Sequence, residues 1–326
     1  MKRVVMERFG GPEVLKLQEA DMPRAGLNDV LIRVEKTSVN FADIKKRNGQ
    51  KGDAQFPMGI GLDVAGVVTS VGDQVTDIAV GQRVIAFPEN GSYAEYAVAK
   101  QALTFAIPDE VDFTTAAACP TVSILSYKLL IDVARLQIGE TVLVHAAAGG
   151  VGTTAIQLAK LLGARTVIGT VSNKDKFSIV EEAGADHVLL YDDFSKHVND
   201  LTSGIGANII LDSVAGKISE QSMKCLAKFG RLVQFGNSGG KIGKFHTNEL
   251  HASCRSILGF SLGTTRKERP EFLKEASVKV LQFIANKQLT IKIGAEFPLT
   301  DVQKAHELIE SRKSMGKIVL NVRGDI

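Results

Sequence analysis

The rhythm of apolar and polar positions changes twice along the chain. In the first part, β-branched residues recur at short spacing in "DVLIRVEKTSVN", "DVAGVVTSVG", "VGQRVIAF" and "GSYAEYAVA". Gly, Pro, Asp and Asn of turn type separate these segments. The pattern predicts a compact, barrel-like, mainly β domain over residues 1–118. Near Thr114 the texture shifts to helix formers without strand alternation, in "TTAAACPTVSILSYKLLIDVARL". From Glu140 onward, strands and helices take turns. "TVLVHA" reads as a buried strand. "VGTTAIQLAKLLG" places Val151, Ala155, Leu158 and Leu162 on one helical face and stops at Gly163. "RTVIGTV", "ADHVLLY", "ANIILDSV" and "GRLVQFG" read as further strands, and "KDKFSIVEEAG" as a helix. This alternation predicts an α/β fold with a doubly wound parallel sheet of Rossmann type over residues 119–265. The last segment, 266–326, carries two helical stretches, "RPEFLKEASVKVLQFIANKQ" and "DVQKAHELIESRK", and a strand, "GKIVLNV". It has no evident core of its own, so it is expected to pack back onto the first domain.

One turn has almost no side chain. In "LVHAAAGGVGTTAIQLAK" a buried strand enters a knot of alanines and glycines and leaves as a helix. Free N–H groups and the dipole make a helix N-terminus an anion site, and a phosphate reaches it only where side chains are absent. Against the dinucleotide fingerprint G-x-G-x-x-G, residues Ala147 to Gly152 read A-A-G-G-V-G. Gly149 lets backbone approach a pyrophosphate, Gly152 lets helix and strand pack closely, and Ala147 stands where the tight-turn glycine belongs. About 20 residues on, an NAD site carries a carboxylate for the ribose 2′-hydroxyl. Here, after Val171, come Ser172, Asn173, Lys174 and Lys176. These groups suit a 2′-phosphate, so NADP(H) is expected rather than NAD(H).

Charge and cysteines narrow the class. Net charge is +3, from 39 basic and 36 acidic residues, and no basic block stands out, which argues against a nucleic-acid partner. The three cysteines, Cys119, Cys225 and Cys254, are far apart and odd in number. That excludes a disulfide framework and suggests a reducing compartment. The basic start "MKRVVMERFG" lacks the apolar core of a secretory signal, and no run approaches about 18 unbroken apolar residues. A cytoplasmic protein without a membrane partner is expected.

The long signature "GETVLVHAAAGGVGTTAIQLAK" resembles the medium-chain dehydrogenase/reductases, in their zinc-independent quinone oxidoreductase (zeta-crystallin-like) branch. The resemblance extends to "GGPEVL", "SVNFADIKKRNG", "GLDVAGVV", "FGNSGG" and the terminal "GKIVL". It implies a GroES-like catalytic domain, completed by the C-terminal segment, with the nucleotide domain inserted and the active site in the cleft between them. It also implies a homodimer joined through an edge strand, for which "CRSILGFSLG" is the candidate.

Zinc members of that superfamily usually carry a cysteine where this chain has Asn40, and Gly-His-Glu where it has Gly61-Leu62-Asp63. Leucine ligates no metal, Cys119 stands without partners, and the nearest histidines, His246 and His251, form no tight pair. No metal is expected. Without a Lewis acid, a quinone or an activated enone is the easier hydride acceptor. Protein groups then orient the partners, exclude water and donate to the acceptor oxygen. Asn40 is the first candidate for that donor, Asp43 caps or orients its loop, and Lys45 stands where relatives often place a tyrosine. For the cofactor, the resemblance implies Ala148, Gly149, Gly150, Val151 and Gly152 at the pyrophosphate. It implies Ser172, Lys176 and Tyr191 at the 2′-phosphate, Phe235, Gly236 and Asn237 at the nicotinamide end, and Lys317 as a nearby charge. NADPH-dependent quinone reduction leads these expectations. Alkenal, enone or enoyl-thioester reduction is the enzymatic alternative, and a non-catalytic NADPH-binding sensor, structural or RNA-binding protein is the alternative of another class.

Overall fold

The alternating segments of the first hundred residues become strands in a computed structural model that describes residues 1–50 and 55–323. They are β1 (Lys2–Met6), β2 (Lys16–Glu19), β3 (Asp29–Val39), β4 (Met58–Gly59), β5 (Asp63–Val71), β6 (Arg83–Ala86), β7 (Tyr96–Lys100) and β8 (Thr104–Ala106). Helix α1 (Phe41–Arg47) follows β3 directly. The period of two places Val30, Ile32 and Val34 of β3 in one core with Val64, Val68, Val84, Ala97 and Ala99. Each fully buried valine or isoleucine there contributes about 2 kcal/mol.

The helix-forming stretch runs from Phe113 to Val133. It comprises α2 (Phe113–Cys119), a wider π-type stretch at Pro120–Ile124, α3 (Leu125–Lys128) and a second wide stretch at Leu129–Val133. Asp112 caps it, accepting the Thr115 N–H at 2.8 Å. Among the described residues, this is the helix long and apolar enough to cross a membrane, although no run of unbroken apolar residues marked it. Its apolar window is 72% buried, as in a core helix.

A second set of elements alternates as expected: β9 (Thr141–Val144), α4 (Gly150–Leu161), β10 (Thr166–Val171), α5 (Phe177–Glu182), β11 (His187–Leu190), α6 (Phe194–Leu201), β12 (Ala207–Asp212), α7 (Lys217–Ser222), β13 (Leu226–Gln234), α8 (Thr247–Ser253) and β14 (Ser256–Gly259). The strands form one parallel sheet in the order β11-β10-β9-β12-β13-β14. Chain direction across the sheet reverses between β9 and β12, the switch point where doubly wound sheets bind ligands at their carboxyl ends.

The chain then continues through α9 (Leu262–Glu268), α10 (Lys274–Ala285), β15 (Ile293–Pro298), α11 (Val302–Glu310) and β16 (Lys317–Asn321). The stretch expected as one long helix from Arg269 instead opens with a 3-10 turn at Pro270–Leu273 before α10, because proline takes the first helical position. Strand β16 joins the first sheet, whose order is β15-β16-β3-β5-β6-β8 with β7 also on β3. Two units result: Met1–Ile124 with Thr265–Lys287 and Ile291–Ile326, and Leu125–Thr264 with Gln288–Thr290.

Candidate cofactor turn and buried polar cluster

In the second unit, the chain leaves β9 through His145 and turns at Ala146, whose φ of 52° is left-handed. The expected tight-turn glycine position, Ala147, is thus one residue past the left-handed one. The methyl of Ala147 packs over Gly169 of β10, where an added Cβ would lie 2.9 Å from it. A bare strand position therefore accommodates the residue that departs from the fingerprint. Gly149 stands just before α4 in extended conformation and Gly150 begins the helix. A Cβ on Gly152 would lie 2.5 Å from both the Ala146 and the Ala147 carbonyl oxygens, so only glycine permits this approach. Ala148 is buried and Val151 half-buried in the same turn.

A chain of side chains behind the turn fixes it. Tyr191 accepts the Ala146 N–H at 2.8 Å and bonds to Thr170. The Thr170 hydroxyl meets His145 Nδ1 at 2.7 Å, and His145 Nε2 meets the Ser222 hydroxyl at 2.8 Å. Ser222 donates onward to the Ile218 carbonyl, so its oxygen accepts from His145, which must carry its proton on Nε2. Burial holds His145 neutral, with its pKa pushed down to about 4. Sequence reasoning passed over His145, Thr170 and Ser222. A histidine inside an otherwise apolar strand end was the available signal.

The remaining cofactor candidates lie at the carboxyl ends of neighbouring strands. Ser172 follows β10 and is exposed, and Lys176 is half-buried in the next turn. Phe235, Gly236 and Asn237 follow β13, where Phe235 N–H donates to the Asp212 carbonyl at 3.0 Å. Asp212 ends β12 and accepts the N–H groups of Val214 and Ala215. It also accepts the Ser219 hydroxyl.

In the first unit, strand register assembles a second group. Ser38 of β3 pairs with Asp63 of β5, and Val39 pairs with Ile318 of β16. Antiparallel pairing thus sets the end of β3 beside the beginnings of both neighbours, and Asn40, Asp63 and Lys317 converge. Lys317 Nζ donates to Asn40 Oδ1 at 2.7 Å and to the Val39 carbonyl at 3.2 Å, and lies 3.5 Å from Asp63 Oδ2. Asn40 Nδ2 donates to Asp63 Oδ2 at 2.8 Å. Asp63 further accepts from the Ser38 hydroxyl, the Thr121 hydroxyl and the Thr121 N–H, the last at the wide stretch after Pro120. Lys317, expected as a charge near the cofactor, is 3% exposed, and its three ammonium hydrogens have three acceptors within the unit. Burial lowers its pKa, opposed by Asp63 and Asp43.

Asp43 occupies the first turn of α1. Its Oδ2 accepts the Asn40 N–H at 2.8 Å and the Tyr93 hydroxyl at 3.1 Å, and its Oδ1 is buried without a partner. Burial pushes its pKa up to about 6. Behind it, Tyr93 meets His306 Nε2 at 3.3 Å and Arg47 NH1 meets His306 Nδ1 at 3.1 Å. Arginine only donates, so Nδ1 accepts and the donor order runs Arg47, His306, Tyr93, Asp43. Arg47 also pairs with Glu310. Lys45 is half-buried, with its ammonium 6.0 Å from the Phe41 ring centroid. Asp63, Tyr93, Arg47 and His306 were not among the residues expected here. One signal was available: Asp43 and Arg47 stand four apart and so share a helical face.

Comparison with known proteins adds the lineage. Residues 26–109 match the family described as "Alcohol dehydrogenase GroES-like domain", and residues 150–278 match "Zinc-binding dehydrogenase". The chain is similar to a quinone oxidoreductase of Pseudomonas aeruginosa, 33% identical over 98% of this chain and 99% of that protein. The structure of Escherichia coli quinone oxidoreductase complexed with NADPH has a TM-score of 0.91, 32% identity, and coverage of 98% of this chain and 100% of the other. "Highly-reducing polyketide synthase 1" of Aureobasidium melanogenum is 35% identical over 90% of this chain, which spans 13% of that protein. The zinc in the second family's description finds no donor set: among the described residues, no group of three or more His, Cys, Asp or Glu could hold a metal. Leu62 offers no donor, burial pushes the Cys119 thiol up to about 12, and Asn40 and Asp63 already bind the Lys317 ammonium.

Proposed function

Because the chain belongs to the quinone oxidoreductase family of medium-chain dehydrogenase/reductases, we propose that it is an NADPH-dependent oxidoreductase that passes hydride to a quinone without zinc. The bare turn between β9 and α4 carries this proposal, at the switch point of the parallel sheet and followed by Ser172 and Lys176 in place of a carboxylate. The N–H groups from Gly149 to Gly152 hold the pyrophosphate, and Ser172 and Lys176 hold the 2′-phosphate. Tyr191 keeps the turn in shape, and Phe235 to Asn237 bound the nicotinamide end. NADPH, when bound, supplies the hydride. Asn40 donates its second Nδ2 hydrogen to the acceptor oxygen, for which no described residue offers an acceptor. An amide transfers no proton, so solvent protonates the product. We assign the acceptor chemistry to residues 1–118 with 266–326, and the cofactor to 119–265. We place the protein in the cytoplasm as a homodimer paired through β14.

NADPH oxidation followed optically, with an ortho-quinone and an α,β-unsaturated ketone in parallel, tests the proposal. Turnover of the quinone is expected, and Asn40→Ala should lower kcat about 100-fold, the cost of removing one oriented donor. Turnover of the enone alone would instead support double-bond reduction, the enzymatic alternative. A fluorescence titration should show NADPH binding more tightly than NADH, and Lys176→Ala should weaken NADPH alone.

A further inference from the structure

The Asn40 amide has one orientation that its neighbours permit. With Oδ1 toward the Lys317 ammonium and Nδ2 toward the Asp63 carboxylate, each contact pairs donor with acceptor. A flipped amide would set N–H against ammonium and oxygen against carboxylate, losing both bonds and adding two repulsions in a buried setting. The flanking charges are themselves fixed. Asp63 is held by Ser38 and by both donors of Thr121, and Lys317 by the Val39 carbonyl. Asn40 is 7% exposed, so water does little to loosen the arrangement.

We infer that Lys317 is a positioning residue for hydride transfer: with Asp63 it clamps the Asn40 amide so that its second Nδ2 hydrogen always faces the acceptor. The clamp rests on the donor role of Asn40 proposed above. Lys317 spends its ammonium on Val39, Asn40 and Asp63, so it acts through Asn40. Its charge also balances that of Asp63, which explains why a lysine lies buried at the start of a strand. Without the ammonium, Oδ1 loses its charged partner and keeps only the Asp43 N–H of the capping box, so the amide is held less strictly and the donor faces the acceptor less of the time.

The test is a double-mutant cycle on the full-length protein with an ortho-quinone and NADPH, using Lys317→Met, Asn40→Ala and the pair. Lys317→Met is expected to lower kcat about 10-fold while leaving the KM for NADPH within about twofold. In the Asn40→Ala background the same substitution should have no further effect on kcat. If the two losses multiply in the double variant, the clamp is wrong and the donor role of Asn40 stands. If Asn40→Ala leaves kcat intact, the donor role falls and the clamp with it. An unchanged kcat in Lys317→Met alone also overturns the clamp. Should Lys317→Met fail to fold, Lys317→Gln is measured with the opposite expectation: it restores a donor for Asn40 Oδ1 without the charge, so kcat should stay within about threefold of the wild type, and a loss as large as that of Asn40→Ala would overturn the clamp. NADPH fluorescence reports that the second unit is intact in every variant.

Discussion

A single phenol oxygen supports the cofactor turn. Tyr191 accepts the N–H of Ala146, the residue that takes the left-handed conformation. Tyr191→Phe leaves that half-buried N–H without its acceptor, at a cost of about 1–3 kcal/mol. Weaker NADPH binding in a fluorescence titration is the expected result, with the acceptor KM unchanged. Asp43 gives a prediction in pH. Its folded pKa of about 6 lies above the ordinary 3.8, so the folded state binds more protons within that window. Stability from this group therefore falls as pH rises through the window, by about 3 kcal/mol when complete. Asp43→Asn removes the titration. Urea unfolding from pH 4 to pH 7, which covers most of that window, should show the variant gaining on the wild type by about 2 kcal/mol, while His306, shared by both, cancels. Sequence could not show this environment. Asp43 was legible as a cap because it follows Asn40 by three. Its partner Tyr93, and His306 behind Tyr93, lie 50 and 263 positions away, and no local spacing links them.

Among elements, the units that repeat were legible and the irregular ones were not. The alternation in β3 and the strand–helix sequence from β9 onward fixed the sheet types, because burial on one face or on both imposes a period. The wide stretches of the Phe113–Val133 helix carry no such period, yet one of them turns the Thr121 N–H toward Asp63. The approach of α4 to β9 and β10 depends on two glycines, of which the fingerprint indicates one. Gly152→Ala places a methyl 2.5 Å from two carbonyl oxygens and should cost about 1–3 kcal/mol in unfolding experiments. NADPH binding should weaken with it. Gly169→Ala brings a methyl within 2.9 Å of Ala147 Cβ and 2.6 Å of Val180. Adding Ala147→Gly should recover part of that loss, since it removes one of the two contacts.

At the scale of the whole chain, the first unit is discontinuous in sequence and the second is nearly continuous. A chain ended after residue 290 lacks β15 and β16 but keeps the parallel sheet. Such a chain should lose quinone turnover completely and still bind NADPH. The pairing of Asn40 with Lys317 spans 277 positions. During synthesis at roughly 5–20 residues per second, the lysine leaves the ribosome some 15–60 s after the asparagine. Through that interval Lys36 to Val39 of β3 present an edge whose later partner is β16, and Asp63 stands without its counter-charge. An unfinished chain therefore offers other nascent chains an open strand for most of its time on the ribosome, and the closing strand that covers this edge is the one that brings the ammonium to the amide.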